Sequence, residues 1–224
     1  MRNEKIIHTN TGISRYFASI YQNVGLGIMI VASTILFVYS LHNPRMARTA
    51  QMLGMFSSII LLIAQGVTFK LNTSQVYMYF FFYNVSLGLL LNPIAYIFTA
   101  TSIFRALFSA SIILIAFSYY GQNTETDLTN LGNMSIKLLV GIICLSFINL
   151  LLGSSAIEFV ISLVSLLIYP VLIAYDVQNL SKLYYANIDS ETKEKLAIIG
   201  SISLILSFLR IMIELLHIFG ERKK

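Results

Sequence analysis

The stretch LIYPVLIAYDVQNLSKLYY, residues 167–185, carries one acid, Asp176, inside a run otherwise suited to lipid. A carboxylate in hydrocarbon is stable only when protonated, paired with a cation, or hydrated in a cavity. The chemistry open to it is therefore the binding of protons or cations. A second set of polar groups lies in LAIIGSISLILSFLRIMIELLHIFG, residues 196–220. At about 100° per residue, Ser207, Arg210, Glu214 and His217 fall within about 80° of one another, as one polar stripe on an apolar helix. Ionisable groups at membrane depth usually face a bundle interior or a water-filled cavity. Two plainer readings stand beside this one. Arg210 and Glu214 could form an ordinary i,i+4 pair near an interface, and the helix carrying Asp176 could end near Tyr175, leaving the acid among lipid headgroups.

Spacing suggests how the two sets would meet. If a helix runs from Phe159 through Tyr185, Asp176 lies roughly 14 Å inward from its end, at about 1.5 Å per residue. With the next helix starting near Leu196, Ser207 and Arg210 lie roughly 17–21 Å in. The short connection makes the helices neighbours, so the acid and the stripe are expected at similar depth, with Arg210 close to Asp176. Asp176, Asn179, Ser207, Arg210 and Glu214 are the candidate lining of an ion or proton pathway. Ca²⁺ prefers about six to eight oxygen ligands. With one sure acid the set gives little independent support for calcium: no tight metal site and no cofactor are expected, at most a transient, hydrated, low-affinity passage of Ca²⁺.

The elements that must hold these groups follow from composition. Of 224 residues, 57% are hydrophobic and 11% charged, against about 25% charged in soluble domains. A helix of about 20 apolar residues crosses the roughly 30 Å hydrocarbon core, and backbone polar groups in lipid must be satisfied within the element. The apolar runs centre on Val24–Leu41, Thr49–Phe69, Val76–Tyr96, Ala106–Tyr120, Leu138–Ile157, the run from Phe159, and the run from Leu196. They predict an all-α integral membrane protein, a seven-helix transmembrane bundle whose last helix is polar. Residues 1–22 read as a cytoplasmic tail and not a cleavable signal peptide, 23–220 as the membrane domain, and 221–224 as a basic tail. Pro93 is placed to kink or end the third helix, and Pro170 to bend the sixth. Residues 121–137 and the stretch near 187–195 read as longer polar loops. Asn84, Asn92 and Asn149 are expected to bond between helices, and Asp127 to brace its loop.

Charge placement bears on topology. With seven full spans, the N-terminal side carries eight Lys and Arg residues and the other side six, setting Arg210 aside. If the last helix dips in and returns, the division becomes twelve against three. Both favour a cytoplasmic N-terminus under the positive-inside rule; the second count points to a re-entrant last helix, its length of about 24 residues to a full span, and its exit side stays open. The net charge of +5 comes from the ends of apolar runs, with no basic stripe for nucleic acid. Cys144 is alone, so there is no disulfide framework. Asp176 has no second intramembrane Asp or Gly-x-Gly-Asp to complete an aspartyl protease. GSSAIE at 153–158 would need the distant His217 to make a serine hydrolase, and no His-Glu-x-x-His occurs. No enzyme is expected.

Several motifs carry a resemblance. FTATSIFRALF and SYYGQNTETDLTNLG resemble the Y-T-G-x-S-I-A-R-V-F and S-L-Y-G-Y-T-T-K-R-D-L-S blocks of the Bax inhibitor family, in its bacterial branch. IAYDVQNL resembles the sixth-helix A-Y-D-T-Q, and LLHIFGERKK the closing L-L-x-L-F-G-x-R. The resemblance runs almost end to end. It implies a seven-helix bundle with two buried aspartates, on the sixth and last helices, whose protonation gates a pH-sensitive calcium leak. Asp176 matches the first, while the second position falls on Ser207 and the family's Asn three places on becomes Arg210. Any pH gating is then expected to be weakened or shifted. The resemblance also implies a bacterial inner (plasma) membrane. The rival it offers is regulatory: relatives associate with the membrane-bound ATP-dependent protease FtsH, for which the N-terminal tail would be the docking segment.

Overall fold

The computed structural model describes residues 2–186 and 188–223, with side chains from Gly12 onward except Phe69. Eight α-helices follow in order: α1 Arg2–Ser40, α2 Pro44–Ala64, α3 Thr73–Leu91, α4 Pro93–Ile97, α5 Ala100–Asn123, α6 Thr129–Leu152, α7 Ser155–Tyr185 and α8 Ser190–Phe219. A 3₁₀ turn, Gln65–Lys70, extends α2. Among the described residues seven helical stretches are long and apolar enough to cross a membrane, α3 and α4 counting as one. The protein is a multi-pass, all-α membrane protein.

Several boundaries differ from expectation, each for a local reason. α1 is unbroken from Arg2, so no chain break marks the expected boundary at residue 22. The side chains of residues 2–11, the core of the expected docking tail, lie outside the described residues, as does Lys224 of the basic tail. α3 ends at Leu91, and Pro93 opens α4 at a position where its missing N–H is harmless. α7 continues through Pro170. The expected loop at 121–137 shrinks to residues 124–128, because α5 runs to Asn123 and α6 starts at Thr129. Asp127 braces that turn, accepting the Thr129 N–H (3.2 Å) and hydroxyl (2.7 Å). Similarly α8 starts at Ser190, not Leu196, with Asp189 as its cap. The Thr192 N–H and hydroxyl both donate to Asp189 at 2.8 Å and hold its carboxyl below the ordinary carboxylate range. α8 is one continuous 30-residue helix. A re-entrant segment needs a turn to come back, so re-entrance of the last helix does not hold.

The chain packs as two compact units. The first comprises residues up to Ile97 together with Leu180–Ile205. Its helices approach through small residues, which let backbones come close where lipid gives no hydrophobic drive. A Cβ on Gly54 of α2 would run into the backbone of Leu89 and Leu90 on α3. The Ser57 and Ser86 hydroxyls meet at 2.5 Å across the same seam. Asn92 donates to the Ala47 carbonyl at 3.1 Å, the interhelical bond expected of it. Asn84 instead donates within its own helix, to Phe80 O at 2.8 Å.

The second unit comprises Phe98–Asn179 and the chain from Leu206 onward. Its apolar core joins Ile142 of α6 to Ile161, Ile168 and Leu172 of α7. On α5, Ser102, Ala106, Ala110, Leu114 and Ser118 are buried at four-residue spacing, one continuous face. Asn149 does not bond between helices; its side chain accepts the Ser154 N–H at 3.0 Å and ties the two-residue α6–α7 turn. At the other end of α8 the chain turns back on the start of α5. Thr99 N–H donates to the Glu221 carbonyl and the Glu221 N–H to the Ser102 hydroxyl, each at 3.0 Å.

Candidate functional site

All five predicted site residues lie in the second unit, at two separate levels of α7 and α8. The first level is built around Asp176, half-buried on α7 and engaged with neighbouring groups. The residues before it are clamped by close helix approaches. A Cβ on Gly121 of α5 would strike the Ala174 backbone, and one on Gly132 of α6 would strike the Tyr175 ring. Two residues beyond, the Gln178 side chain accepts the Leu128 N–H at 2.9 Å and donates to the Thr126 carbonyl at 2.7 Å. This ties the α5–α6 turn to α7. Asp176 thus stands on a stretch whose backbone is fixed on both sides, with Asn179 half-buried one turn further on.

The second level is built around Glu214, 1% exposed. Its Oε1 lies 2.7 Å from Arg210 Nε on the preceding turn of α8. The N–H is not aimed along that line, and neither atom has an aligned hydrogen bond; charge holds the pair. His217 Nδ1 is 3.7 Å from the other carboxylate oxygen, Oε2. From α7, the buried Ser162 side chain faces the same carboxylate across the cleft they both line. A cleft of about 370 Å³ opens beside this cluster, walled by Ser146 and Asn149 of α6, Glu158 and Ser162 of α7, and Arg210 and His217 of α8.

Two approaches show how α7 and α8 run past each other: Ser162 faces Glu214, and the Leu180 side chain lies where a Cβ on Gly200 would stand. Counting from these two approaches, at about 1.5 Å per residue, places Ser207 roughly 5–10 Å and Arg210 roughly 9–15 Å along the axis from Asp176. Ser207 thus lies one to two turns from the acid, and the expectation that Arg210 stands close to Asp176 is corrected. It fails because α8 begins six residues earlier than the apolar run suggests, which carries the stripe further from the α7–α8 turn. Arg210 takes Glu214 as its ion partner, the plainer of the two readings of the stripe. Ser207, at the position where the resemblance puts a second aspartate, is buried with no charge of its own.

Sequence reasoning assigned no role to Ser162 or Gln178. A lone Ser in an apolar run carries no signal of its partner. Gln178 did carry one, since it closes the YDVQ motif, and its side chain holds the turn that packs beside the acid.

Comparison with known proteins agrees with the architecture. The family model described as inhibitor of apoptosis-promoting Bax1 matches residues 13–224. An uncharacterized protein of Rickettsia prowazekii is 30% identical over 95% of this chain and 92% of its own length. An uncharacterized membrane protein of Streptococcus pyogenes serotype M6 is 30% identical over 98% of this chain and 99% of its own. The inner membrane protein YbhL of Escherichia coli strain K12 is 27% identical over 99% of this chain and 98% of its own. With a matching model over nearly its whole length and seven membrane-length helices, the chain belongs to the Bax inhibitor family of membrane proteins.

Proposed function

We propose that the protein is a pH-responsive cation leak of a bacterial inner membrane, calcium being the candidate ion, with its N-terminus in the cytoplasm and Asp176 as its control group. The observation that carries this is the position of Asp176. It stands nine residues before the end of a continuous 31-residue α7, roughly 14 Å along the helix axis, just after the Ala174 backbone packed on Gly121 and the Tyr175 ring packed on Gly132. A carboxylate at such depth is retained at a free-energy cost and marks an ion or proton route more often than a packing position. Ionised, it offers a passing cation the one thing the apolar walls lack; protonated, it withdraws that offer. Control is assigned to Asp176 for its place on α7, while Glu214 lies in a separate cluster with Arg210 and His217.

The test is calcium flux into vesicles reconstituted with the full chain, across a pH series, for the parent and Asp176→Asn. The expected result is a parent flux that changes with pH and a variant flux that does not. Equal flux with equal pH response in both would remove Asp176 from the mechanism. A parent chain that passes no cation at any pH would leave the family's other reading, a regulatory partner of a membrane protease such as FtsH.

A further inference from the structure

The cleft beside Glu214 does not stand alone. A second, apolar groove of about 480 Å³ is walled by Leu139, Ile142, Ile143 and Phe147 of α6, Tyr169 of α7, and Arg210. The two concavities share Ser146, Leu150 and Arg210 in their walls. One is lined almost wholly by hydrocarbon, the other by groups of both charges: Arg210 against Glu158, with the His217 ring beside them and Glu214 behind. Volumes of about 300–1,000 Å³ are those of sites that hold small molecules. The surface around the α6–α7 turn is apolar and open. Leu150 is 80% and Leu151 88% exposed, and such a contiguous apolar patch needs a nonaqueous cover. In a membrane protein that cover is lipid, so the polar cleft opens where lipid is the neighbour.

We infer that the joined groove and cleft, walled by α6, α7 and α8, form a phospholipid site selective for a headgroup bearing both a phosphate and a primary ammonium, as in phosphatidylethanolamine. An acyl chain lies along Leu139, Ile143 and Phe147, where its partner surface is as apolar as itself. The phosphate meets Arg210. Glu214 fixes the Nε edge of that guanidinium, and the rest of the side chain, 37% exposed, lines both concavities. A planar guanidinium suits phosphate oxygens better than a point charge does. The ammonium, with its own N–H donors, is matched by the Glu158 carboxylate and the Asn149 side-chain oxygen. Choline carries the same charge without those donors, and phosphatidylglycerol puts a neutral glycerol where the ammonium would stand, leaving Glu158 without a cation. The site is independent of the proposed ion route, and it uses neither Asp176 nor any titration.

The experiment reconstitutes the full chain with mixtures of phosphatidylethanolamine, phosphatidylcholine and phosphatidylglycerol, then identifies the lipid retained after detergent extraction by native mass spectrometry. The expected result is enrichment of phosphatidylethanolamine over its share of the mixture, reduced about tenfold in Arg210→Gln, the loss of one charge-assisted hydrogen bond. Glu158→Gln should lose the preference for phosphatidylethanolamine over phosphatidylcholine while still retaining lipid. Ile143→Trp, which fills the apolar groove and leaves every charge in place, should lower retention of all three; it decides the matter if Arg210→Gln does not fold. Arg105→Gln, a cation exposed on α5 away from the groove, should change nothing. Retention in proportion to the mixture, enrichment of phosphatidylglycerol, or an Arg105→Gln effect as large as that of Arg210→Gln would each overturn the inference.

Discussion

The two units of the chain bury polarity in different ways. The first buries neutral groups: Asn23, Ser58, Thr68, Asn84, Ser86 and Asn92. Several of these settle nearby backbone carbonyls, as Ser86 does with Gly54 at 3.2 Å, and their chemistry ends with packing. The second also buries a carboxylate, Glu214, and holds Asp176 half-buried. A hydroxyl or amide in lipid asks only for hydrogen-bond partners, whereas a charge needs an opposite charge, hydrogen bonds and often an opening to water or headgroups. Glu214 has an opposite charge in Arg210, the Ser162 side chain facing it, and the adjoining cleft. The difference teaches where to look for function. The first unit is a small-residue scaffold, and the second has accepted the expense of charge.

The strongest test of that contrast is to break the charged cluster. Arg210→Gln leaves Glu214 buried with His217 and Ser162 but without its permanent cation. A destabilisation of about 3 kcal/mol is expected, the low end for a broken buried pair because Arg210 is partly exposed. The double substitution Arg210→Met with Glu214→Leu should return to within about 1 kcal/mol of the parent, since both charges leave together. Chemical unfolding in mixed micelles gives both numbers. A single variant as stable as the parent would mean that the cluster is solvated, and that the second unit handles charge no differently from a surface.

Glycine substitutions sharpen the comparison, because close approach is a device both units share. Gly54→Ala in the first unit and Gly121→Ala in the second each drive a methyl into backbone atoms. Each should cost about 1–3 kcal/mol, the usual range for overpacking. Gly141, with nothing within 4 Å of an added Cβ, is the control; Gly141→Ala should be neutral or stabilising by about 0.5–1 kcal/mol, as a helix-interior glycine replaced by alanine. Only Gly121→Ala should disturb the pH response of flux, because Gly121 pins the α7 backbone two residues before Asp176. Smaller still is Ser86→Ala, which removes the contact with Ser57; about 0.6 kcal/mol is expected, with flux unchanged.

The transmembrane core of this fold was legible in the sequence, but its edges were not. Each apolar run became a membrane-length helix, since an apolar stretch of that length has no other way to satisfy its backbone. The polar flanks misled. GQNTETDLTNLGNMSIK reads as a loop because its residues are polar, yet most of it is helix: side chains that cannot enter lipid can still extend a helix into the interface, and Asp127 sets the break. Reading Ser190–Lys195 as loop likewise hid six residues of α8, and that error propagated into the site by moving Arg210 to the level of Asp176. The partner of Arg210 was available as an i,i+4 spacing. The partnership of Ser162 with Glu214 was not, because it depends on the register of two helices whose facing surfaces are almost uniformly apolar.

The cap that caused this misreading makes the last and gentlest prediction. Asp189 accepts from the Thr192 N–H and hydroxyl, and these bonds hold its carboxyl below the ordinary range. The ionised form is the better acceptor, so its contribution to the first turn of α8 is fully present above the unfolded-chain value and is lost as pH falls through the lowered one. Amide protection factors over residues 191–194 should therefore fall only below the ordinary carboxylate range. Asp189→Asn should keep the cap and abolish this dependence, since Asn caps without titrating. Asp189→Ala should show reduced protection at every pH. A parent profile indistinguishable from that of Asp189→Asn would show that Asp189 does not set the start of α8. The early start of the helix, and with it the separation of the Asp176 and Arg210 levels, would then have to come from packing further along the helix.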